Sequence, residues 1–249
     1  MQISANLKNR LKNADKIVFL TGAGISAESG IPTFRGENGL WKNFRPEELA
    51  NFNAFIKNPD LVWEWYQYRR DIVRKAKPNS AHLAITGFQK LFKDVTVITQ
   101  NVDNLHTRAG NENVLELHGN IEKNYCIDCK QRYDFTDFSE NKKGVPRCKK
   151  CGGIIRPDVV WFGESLPQDI FRKAENKTMQ SEIFFVVGTS AVVYPAAGLA
   201  YLAKDYGSYV VEINIDTTDF SYSVADEVLL GKAGEVLPKI LSLAETLRK

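Results

Sequence analysis

The sequence predicts an α/β fold: a parallel sheet covered by helices on both faces. Four short runs point to buried strands, namely Lys16–Leu20 (KIVFL), Asp94–Thr99 (DVTVIT), Ile183–Val187 (IFFVV) and Tyr209–Ile213 (YVVEI). Each is nearly continuous in apolar, β-branched or aromatic residues, as strands buried on both faces are. Helical patterns at Ser80–Phe92, Asp103–Ala109, Pro195–Tyr206 and Ala233–Leu247 alternate with them, which implies parallel crossovers. The chain has 249 residues, 43% of them apolar and 11% aromatic, enough for a substantial core without disulfides.

Before the first strand, Ile3–Ala14 reads as an amphipathic helix, with Leu7 and Leu11 at i, i+4 spacing. Two stretches break the strand–helix rhythm. Leu40–Pro78 is helical in pattern and rich in aromatics, among them Trp63, Trp65, Tyr66 and Tyr68. Asn120–Pro157 is polar, turn-rich and holds all four cysteines. Both read as insertions. No apolar run approaches the roughly 20 residues of a membrane span, and the N-terminus lacks the features of a signal peptide. The expectation is a cytoplasmic protein without membrane association, and a monomer, since no coiled coil or swapped arm is evident. The net charge of +3 does not by itself point to nucleic acid.

Cys126-x-x-Cys129 and Cys148-x-x-Cys151 are 18 residues apart, the spacing of two knuckles holding one tetrahedral zinc. Four protein ligands leave no position for water, so this zinc is expected to be structural. A redox pair would need only one C-x-x-C. A zinc ribbon that binds DNA is the rival reading. Asn120–Pro157 carries nine Lys/Arg and five Asp/Glu, a surplus of +4, which a Zn(Cys)₄ centre reduces to about +2. That footprint is weak, and dedicated nucleic-acid binding is not expected.

Gly22-Ala23-Gly24-Ile25-Ser26-Ala27 fits G-x-G-x-x-A directly after a strand. Glycines permit a tight turn and close approach to a pyrophosphate, although a purely structural turn would use them too. A plain dinucleotide fold needs an acidic residue about 20 positions on. Glu47 and Glu48 lie at that distance, but inside the helical insertion, which argues against an ordinary NAD-dependent oxidoreductase. Thr99-Gln100-Asn101-Val102-Asp103 ends another strand, where α/β proteins place ligands. The chain has three histidines. His82 and His106 fall in helical patterns and read as structural, whereas His118, before Gly119 at a strand end, is placed for exposure at a cleft.

The full run Gly22–Gly36, GAGISAESGIPTFRG, resembles the sirtuin fingerprint G-A-G-x-S-x-x-S-G-I-P-x-F-R at Gly22, Ala23, Gly24, Ser26, Ser29, Gly30, Ile31, Pro32, Phe34 and Arg35. The resemblance runs from about Ala14 to the C-terminus with the family's motifs in order. It implies an α/β Rossmann-like domain (1–39 with 79–119 and 158–249) and a smaller domain made of a helical insertion (40–78) and a zinc-binding insertion (120–157). It implies that NAD⁺ is a consumed co-substrate bound by Gly22, Ala23, Gly24, Ser26 and Ala27, with Thr33, Phe34 and Arg35 on a mobile loop. Gln100, Asn101 and Val102 would line the ribose and nicotinamide pocket, and Asp103 would hold the carboxamide. Gly188, Thr189, Ser190, Asn214 and Ala233 would contact the adenosine side, and His118 would be the general base.

Val160, Trp161, Phe162, Gly163 and Glu164 resemble the segment that pairs with the acyl-lysine peptide. Tyr66 and Arg69, three apart on one helical face, match the Y-x-x-R of sirtuins that remove succinyl, malonyl and glutaryl groups. A hydroxyl beside a guanidinium suits a carboxylate, although an aromatic packing stripe with solvated arginines would read the same way. The implied reaction gives nicotinamide, free lysine and 2′-O-acyl-ADP-ribose. Deacetylation alone and mono-ADP-ribosyl transfer are the alternatives within the family.

Overall fold

The buried strands assemble as one sheet because their side chains need cover on both faces. The computed structural model describes residues 2–33, 49–140 and 143–249. Strand β1 (Lys16–Thr21) is buried at every position after Lys16. It pairs in parallel with β2 (Asp94–Thr99) on one side, which pairs with β3 (Val114–Glu116). On its other side β1 pairs with β7 (Ile183–Val187), followed by β8 (Tyr209–Asn214) and β9 (Glu227–Leu230). The strand order is β3-β2-β1-β7-β8-β9, with the direction of progression reversing between β1 and β7. Ligands of open α/β sheets bind at the carboxyl ends of the strands at such a reversal.

One face of the sheet is covered by α1 (Ala5–Asn13), α4 (Ser80–Leu91) and α9 (Ala233–Leu247). Phe19 stacks on Phe185 at 4.8 Å and meets Phe88 edge-on at 5.2 Å in that core. The other face is covered by α6 (Gln168–Met179), α7 (Gly198–Asp205) and α8 (Asp219–Ser223).

A second, antiparallel sheet is built from β4 (Gly119–Cys126), β5 (Arg132–Asp134) and β6 (Ile155–Val159) in the order β5-β4-β6. Helices α2 (Phe52–Lys57) and α3 (Pro59–Lys75) pack beside it, so that Phe55, Val62, Trp65 and Tyr66 share a core with Ile121, Val159 and Trp161. Arg70 ties α3 to this sheet. It is buried, lies 4.9 Å over the Trp63 ring, and donates from Nε to Ile121 O at 2.7 Å and from Nη2 to Asn124 Oδ1. Burial lowers its pKa to about 9, so it stays charged at neutral pH.

Three expected elements differ from the sequence reading. The helix expected over Asp103–Ala109 shrinks to α5 (Leu105–Arg108), because Asn104 takes a left-handed φ of 60° and Asp103 Oδ1 accepts from Leu105 N. The helix expected from Pro195 begins at Gly198, after a cis Tyr194–Pro195 bond. The strand-like run Val159–Glu164 turns away after Val159. Phe162 N donates to Ala50 O, Trp161 N donates to Glu164 Oε2, and Gly163 has φ +85°. No described helix is long and apolar enough to cross a membrane.

Replacing Arg70 with Leu leaves Ile121 O and Asn124 Oδ1 buried without their donor. The expected loss is about 3 kcal/mol of unfolding free energy, read from urea denaturation. A loss below about 1 kcal/mol would show that the α3–β4 tie is dispensable.

Candidate active site

The glycine turn after β1 is fixed by contact with the exit of β7. Gly22 N donates to Val187 O at 3.0 Å, and Gly24 N to Gly188 O at 2.8 Å. A Cβ at Gly24 would lie 2.7 Å from Gly188 Cα, one at Gly22 would lie 2.8 Å from Gly188 O, and Gly188 itself has φ +58°. The glycines are therefore needed for backbone-to-backbone packing as well as for any phosphate. The turn leads into a 3₁₀ segment, Ala23–Ser29.

The end of β2 meets this turn. Asn101 Nδ2 donates to Gly22 O (3.0 Å) and lies 3.2 Å from Ser26 Oγ. Asp103 is buried behind it, with Oδ2 accepting from Ser26 Oγ at 2.7 Å. Burial raises the Asp103 pKa, against the hydrogen bonds from Leu105 N and Ser26, which lower it. His118 lies between β3 and β4. Its Nδ1 is 2.9 Å from Gln100 O. A carbonyl only accepts, so Nδ1 carries the proton and Nε2 keeps the basic lone pair. Burial lowers the pKa of His118, and the bond to Gln100 O opposes this in part. The ring is thus a neutral base at physiological pH. At Gly119, φ is +79°, and a Cβ would sit 2.1 Å from Asp158 O.

The wall contributed by α3 is aromatic and cationic. The Arg69 guanidinium lies 4.9 Å over the Trp65 ring and 5.6 Å over the Tyr66 ring. Arg69 and Tyr66 are both buried, and Trp161 Nε1 donates to Tyr66 Oη at 2.8 Å. Burial lowers the Arg69 pKa, while Tyr66 and Asp103 favour its charged form. Burial raises the Tyr66 pKa, opposed by Arg69, so the phenol keeps its proton.

Glu164 is engaged by its own chain. Arg156 Nη1 and Nη2 grip its two oxygens at 2.5 and 2.9 Å, and Arg156 stacks 3.5 Å over Trp161.

These walls enclose one cavity of about 990 Å³ at the carboxyl edge of the large sheet. Gly22, Ala23, Gly24, Ala27 and Thr33 line it, as do Gln100, Asn101, Val102 and His118. So do Tyr66, Arg69, Val160, Trp161, Phe162, Gly163 and Glu164, and on the far side Gly188, Thr189, Ser190, Asn214 and Ala233. Ser26 and Asp103 stand behind the wall. Phe34 and Arg35 lie outside the described residues.

A family model described as the Sir2 family matches residues 22–195. The chain belongs to the Sir2 family. An NAD-dependent protein deacylase of Aquifex aeolicus is 51% identical over 225 residues, covering 90% of this chain and 93% of the relative. One of Pyrococcus furiosus is 49% identical over 236 residues, covering 93% and 94%. A solved Sir2 homologue–NAD complex superposes with a TM-score of 0.91 at 42% identity over 100% of this chain and 96% of that one. A Sir2–p53 peptide–NAD⁺ structure gives 0.89 at 33% identity over 98% and 100%.

The Sir2 fold implies NAD⁺ and a zinc ion, and the residues present fit both. The cavity is of the size that takes a large ligand, and the glycine turns at Gly22, Gly24 and Gly188 line it with backbone that no side chain covers at those positions. The four cysteine sulfurs all lie within 4.8 Å of one another, with Cys126–Cys151 at 3.5 Å and Cys129–Cys148 at 3.6 Å. Tetrahedral Zn–S bonds of about 2.3 Å require sulfurs about 3.8 Å apart. The two C-x-x-C knuckles also close alike. Lys130 N donates to Cys126 O and Gly152 N to Cys148 O, while Cys126 N donates to Gln131 O and Cys148 N to Gly153 O. Lys130 and Gly152 both take left-handed φ, at 58° and 76°.

Several lining residues escaped the sequence reading of this Sir2 chain. Trp65 was visible only as one of a row of aromatics. Glu28 accepts from Gly234 N at 2.8 Å and joins the 3₁₀ segment to α9, a contact across 206 positions that no local pattern signals. Ile215, Asp216, Thr218 and Lys232 enter the wall from turns after β8 and β9.

One zinc per chain is expected by atomic absorption. Its removal by a strong chelator should red-shift tryptophan emission, because Trp63 shares a core with Cys126, Cys148 and Ile155. A zinc-free protein with unchanged emission would show that the four thiols do not hold a structural metal.

Proposed function

We propose that this protein is an NAD⁺-dependent protein-lysine deacylase that prefers acidic acyl groups such as succinyl and malonyl. The observation that carries the reading is the placement, in one cavity, of a histidine with its lone pair fixed on Nε2, the glycine cradle, and a buried tyrosine–arginine pair. When bound, NAD⁺ would supply the ribose carbon and hydroxyls that take the acyl group from lysine as nicotinamide leaves. Gly22, Ala23, Gly24, Ser26, Ala27, Thr33, Phe34 and Arg35 would hold its phosphates and the adjoining ribose. Gly188, Thr189, Ser190, Asn214 and Ala233 would hold its adenosine side. Gln100, Asn101, Val102 and Asp103 would orient the nicotinamide end.

His118 Nε2 would be the atom that takes a proton from a ribose hydroxyl of bound NAD⁺, with Gln100 O holding Nδ1–H and so favouring the imidazolium. Cys126, Cys129, Cys148 and Cys151 would hold the zinc, which supplies no chemistry and keeps β4 and β6 in place. Val160–Glu164 would receive the peptide backbone, with Glu164 acting through its grip on Arg156 and Trp161. Acyl-lysine proteins or peptides are the substrates on this reading. A Rossmann-like domain (1–39, 79–119, 158–249) and a smaller domain (40–78, 120–157) close on them. The protein is taken as a cytoplasmic monomer.

The acyl preference rests on desolvation. The buried Arg69 guanidinium in the cavity wall has lost most of its water, and an entering carboxylate would add a charge-assisted contact to it. The Tyr66 oxygen accepts from Trp161 Nε1, and its O–H is the group that would donate to a bound carboxylate. An acetyl group offers no anion to this pair.

Arg69→Met is expected to lower kcat/KM for a succinyl-lysine peptide about a hundredfold, or ~2.7 kcal/mol, and to change the acetyl-lysine value only a few-fold. Equal losses on both peptides would refute the acidic preference. Loss of activity on neither would make the pair packing alone, and nicotinamide release without deacylation would favour ADP-ribosyl transfer.

The acid limb of kcat/KM should fall below the ordinary imidazole range near 6.5. Burial favours neutral His118, and protonation at lower pH removes the base. His118→Ala should abolish turnover with zinc and fold retained. Near-normal deacylation by that variant would remove His118 from this role.

A further inference from the structure

Glu212 is out of keeping with its surroundings. It lies within β8, between β7 and β9, and is fully buried, as are Val210, Val211 and Ile213 around it. Strands buried on both faces exclude carboxylates unless hydrogen bonds satisfy them. Glu212 is satisfied by two hydroxyls from the next turn. Thr218 Oγ1 donates to Oε1 at 2.6 Å, and Ser221 Oγ donates to Oε2. Each hydroxyl has one proton, so each is left with lone pairs only. Thr218 Oγ1 accordingly accepts from Phe220 N at 3.2 Å, and Ser221 Oγ from Thr218 N at 3.0 Å, which is the capping box that starts α8. The buried carboxylate thus sets the hydroxyl orientations that the cap requires.

The turn held in this way forms part of the cavity wall. Asn214, Ile215, Asp216 and Thr218 line it, although Ile215 is 67% exposed and brings no core packing to the turn. At one end Asn214 Nδ2 donates to Thr189 O at 2.9 Å, joining the wall to the exit of β7. At the other end the holds are Glu212, through Thr218 and Ser221, and the exposed Tyr222, whose Oη donates to Thr217 Oγ1 at 3.2 Å.

We infer that Glu212 is a positioning residue for the nucleotide, which keeps the Asn214–Thr218 wall shaped for the adenosine half of NAD⁺. This rests on the cavity being the NAD⁺ site. Glu212 lies beneath the wall and acts through it, so it should set affinity for the adenosine half and leave the chemistry at His118 unchanged.

The test is Glu212→Gln in the full, zinc-loaded chain. A glutamine keeps the shape, but one end cannot accept, so one hydroxyl must turn away. ADP-ribose affinity measured by calorimetry should weaken roughly tenfold, with the KM for NAD⁺ rising by a similar factor. The kcat and the KM for the acyl-lysine peptide should stay within about twofold. Ser221→Ala, which removes one anchor at a residue outside the cavity wall, should shift ADP-ribose affinity in the same direction by less. It decides the matter alone if Glu212→Gln does not fold.

Unchanged ADP-ribose affinity in the folded variant overturns the inference. So does a parallel loss in kcat and in peptide KM, which marks a role in general stability. Wild-type protein that binds no ADP-ribose would overturn the NAD⁺ reading itself, by a measurement independent of either variant.

Discussion

The contact between Gly24 and Gly188 constrains the rest of the site. With 2.7 Å between a would-be Cβ and the facing Cα, neither turn has room for any other residue. The two backbones are locked by Gly22 N to Val187 O and Gly24 N to Gly188 O. This brings the exits of β1 and β7 together at the point where the strand order reverses, and so opens the crevice there. The end of β2 is then fixed against the same turn through Asn101 and Gly22 O. Gln100, one residue earlier, orients His118. The orientation of the His118 ring is thus tied, through two short links, to Gly22 at the other end of the turn.

The smaller sheet is organised around buried arginines. Arg70 and Arg156 are each 2% exposed or less, and each is satisfied by its own chain. Arg70 serves carbonyl and amide acceptors on β4, and Arg156 serves Glu164 and Val159 O. Breaking either would strand acceptors in a low-dielectric interior, so both act as fixed struts. Arg69 is the neighbour of Arg70 in sequence but faces the cavity. The contrast explains how one helix contributes both a strut and a cavity-lining cation: α3 turns about 100° per residue, so adjacent arginines point to different environments.

What was legible in the sequence was local in origin. KIVFL, DVTVIT, IFFVV and YVVEI form strands because continuous apolar runs have no other way to bury both sides. The cysteine pairs were legible because knuckle geometry needs two residues between ligands, and the sulfurs do converge. Less legible was what distant partners decide. The run Val159–Glu164 looks like a strand, yet Ala50 O and the Arg156–Glu164 grip bend it into a turn. Asp103 is held from behind the wall by Ser26 Oγ and Leu105 N, the first of them a partner 77 positions away that no local pattern signals. Strand β9 is short, pairs only at the sheet edge and buries a single residue, Leu229, so its four residues show no buried-strand pattern.

The two halves of the cavity have separate foundations. His118 and Asn101 are held by backbone atoms at the ends of parallel strands, where every position is constrained by neighbours on both sides. Tyr66, Arg69 and Trp65 sit on α3, which is anchored to the antiparallel sheet by Arg70 and by packing on Ile121, Val159 and Trp161. The links between them run mainly to backbone atoms: Ile121 N donates to Val102 O, Val160 N to His118 O, and the Arg108 guanidinium to Val73 O and Ala76 O at the end of α3. Side chains on α3 therefore have room to change shape and charge while the base and its tautomer stay as they are. On the proposed reading, acyl selectivity belongs to one helix face and the proton chemistry to the sheet.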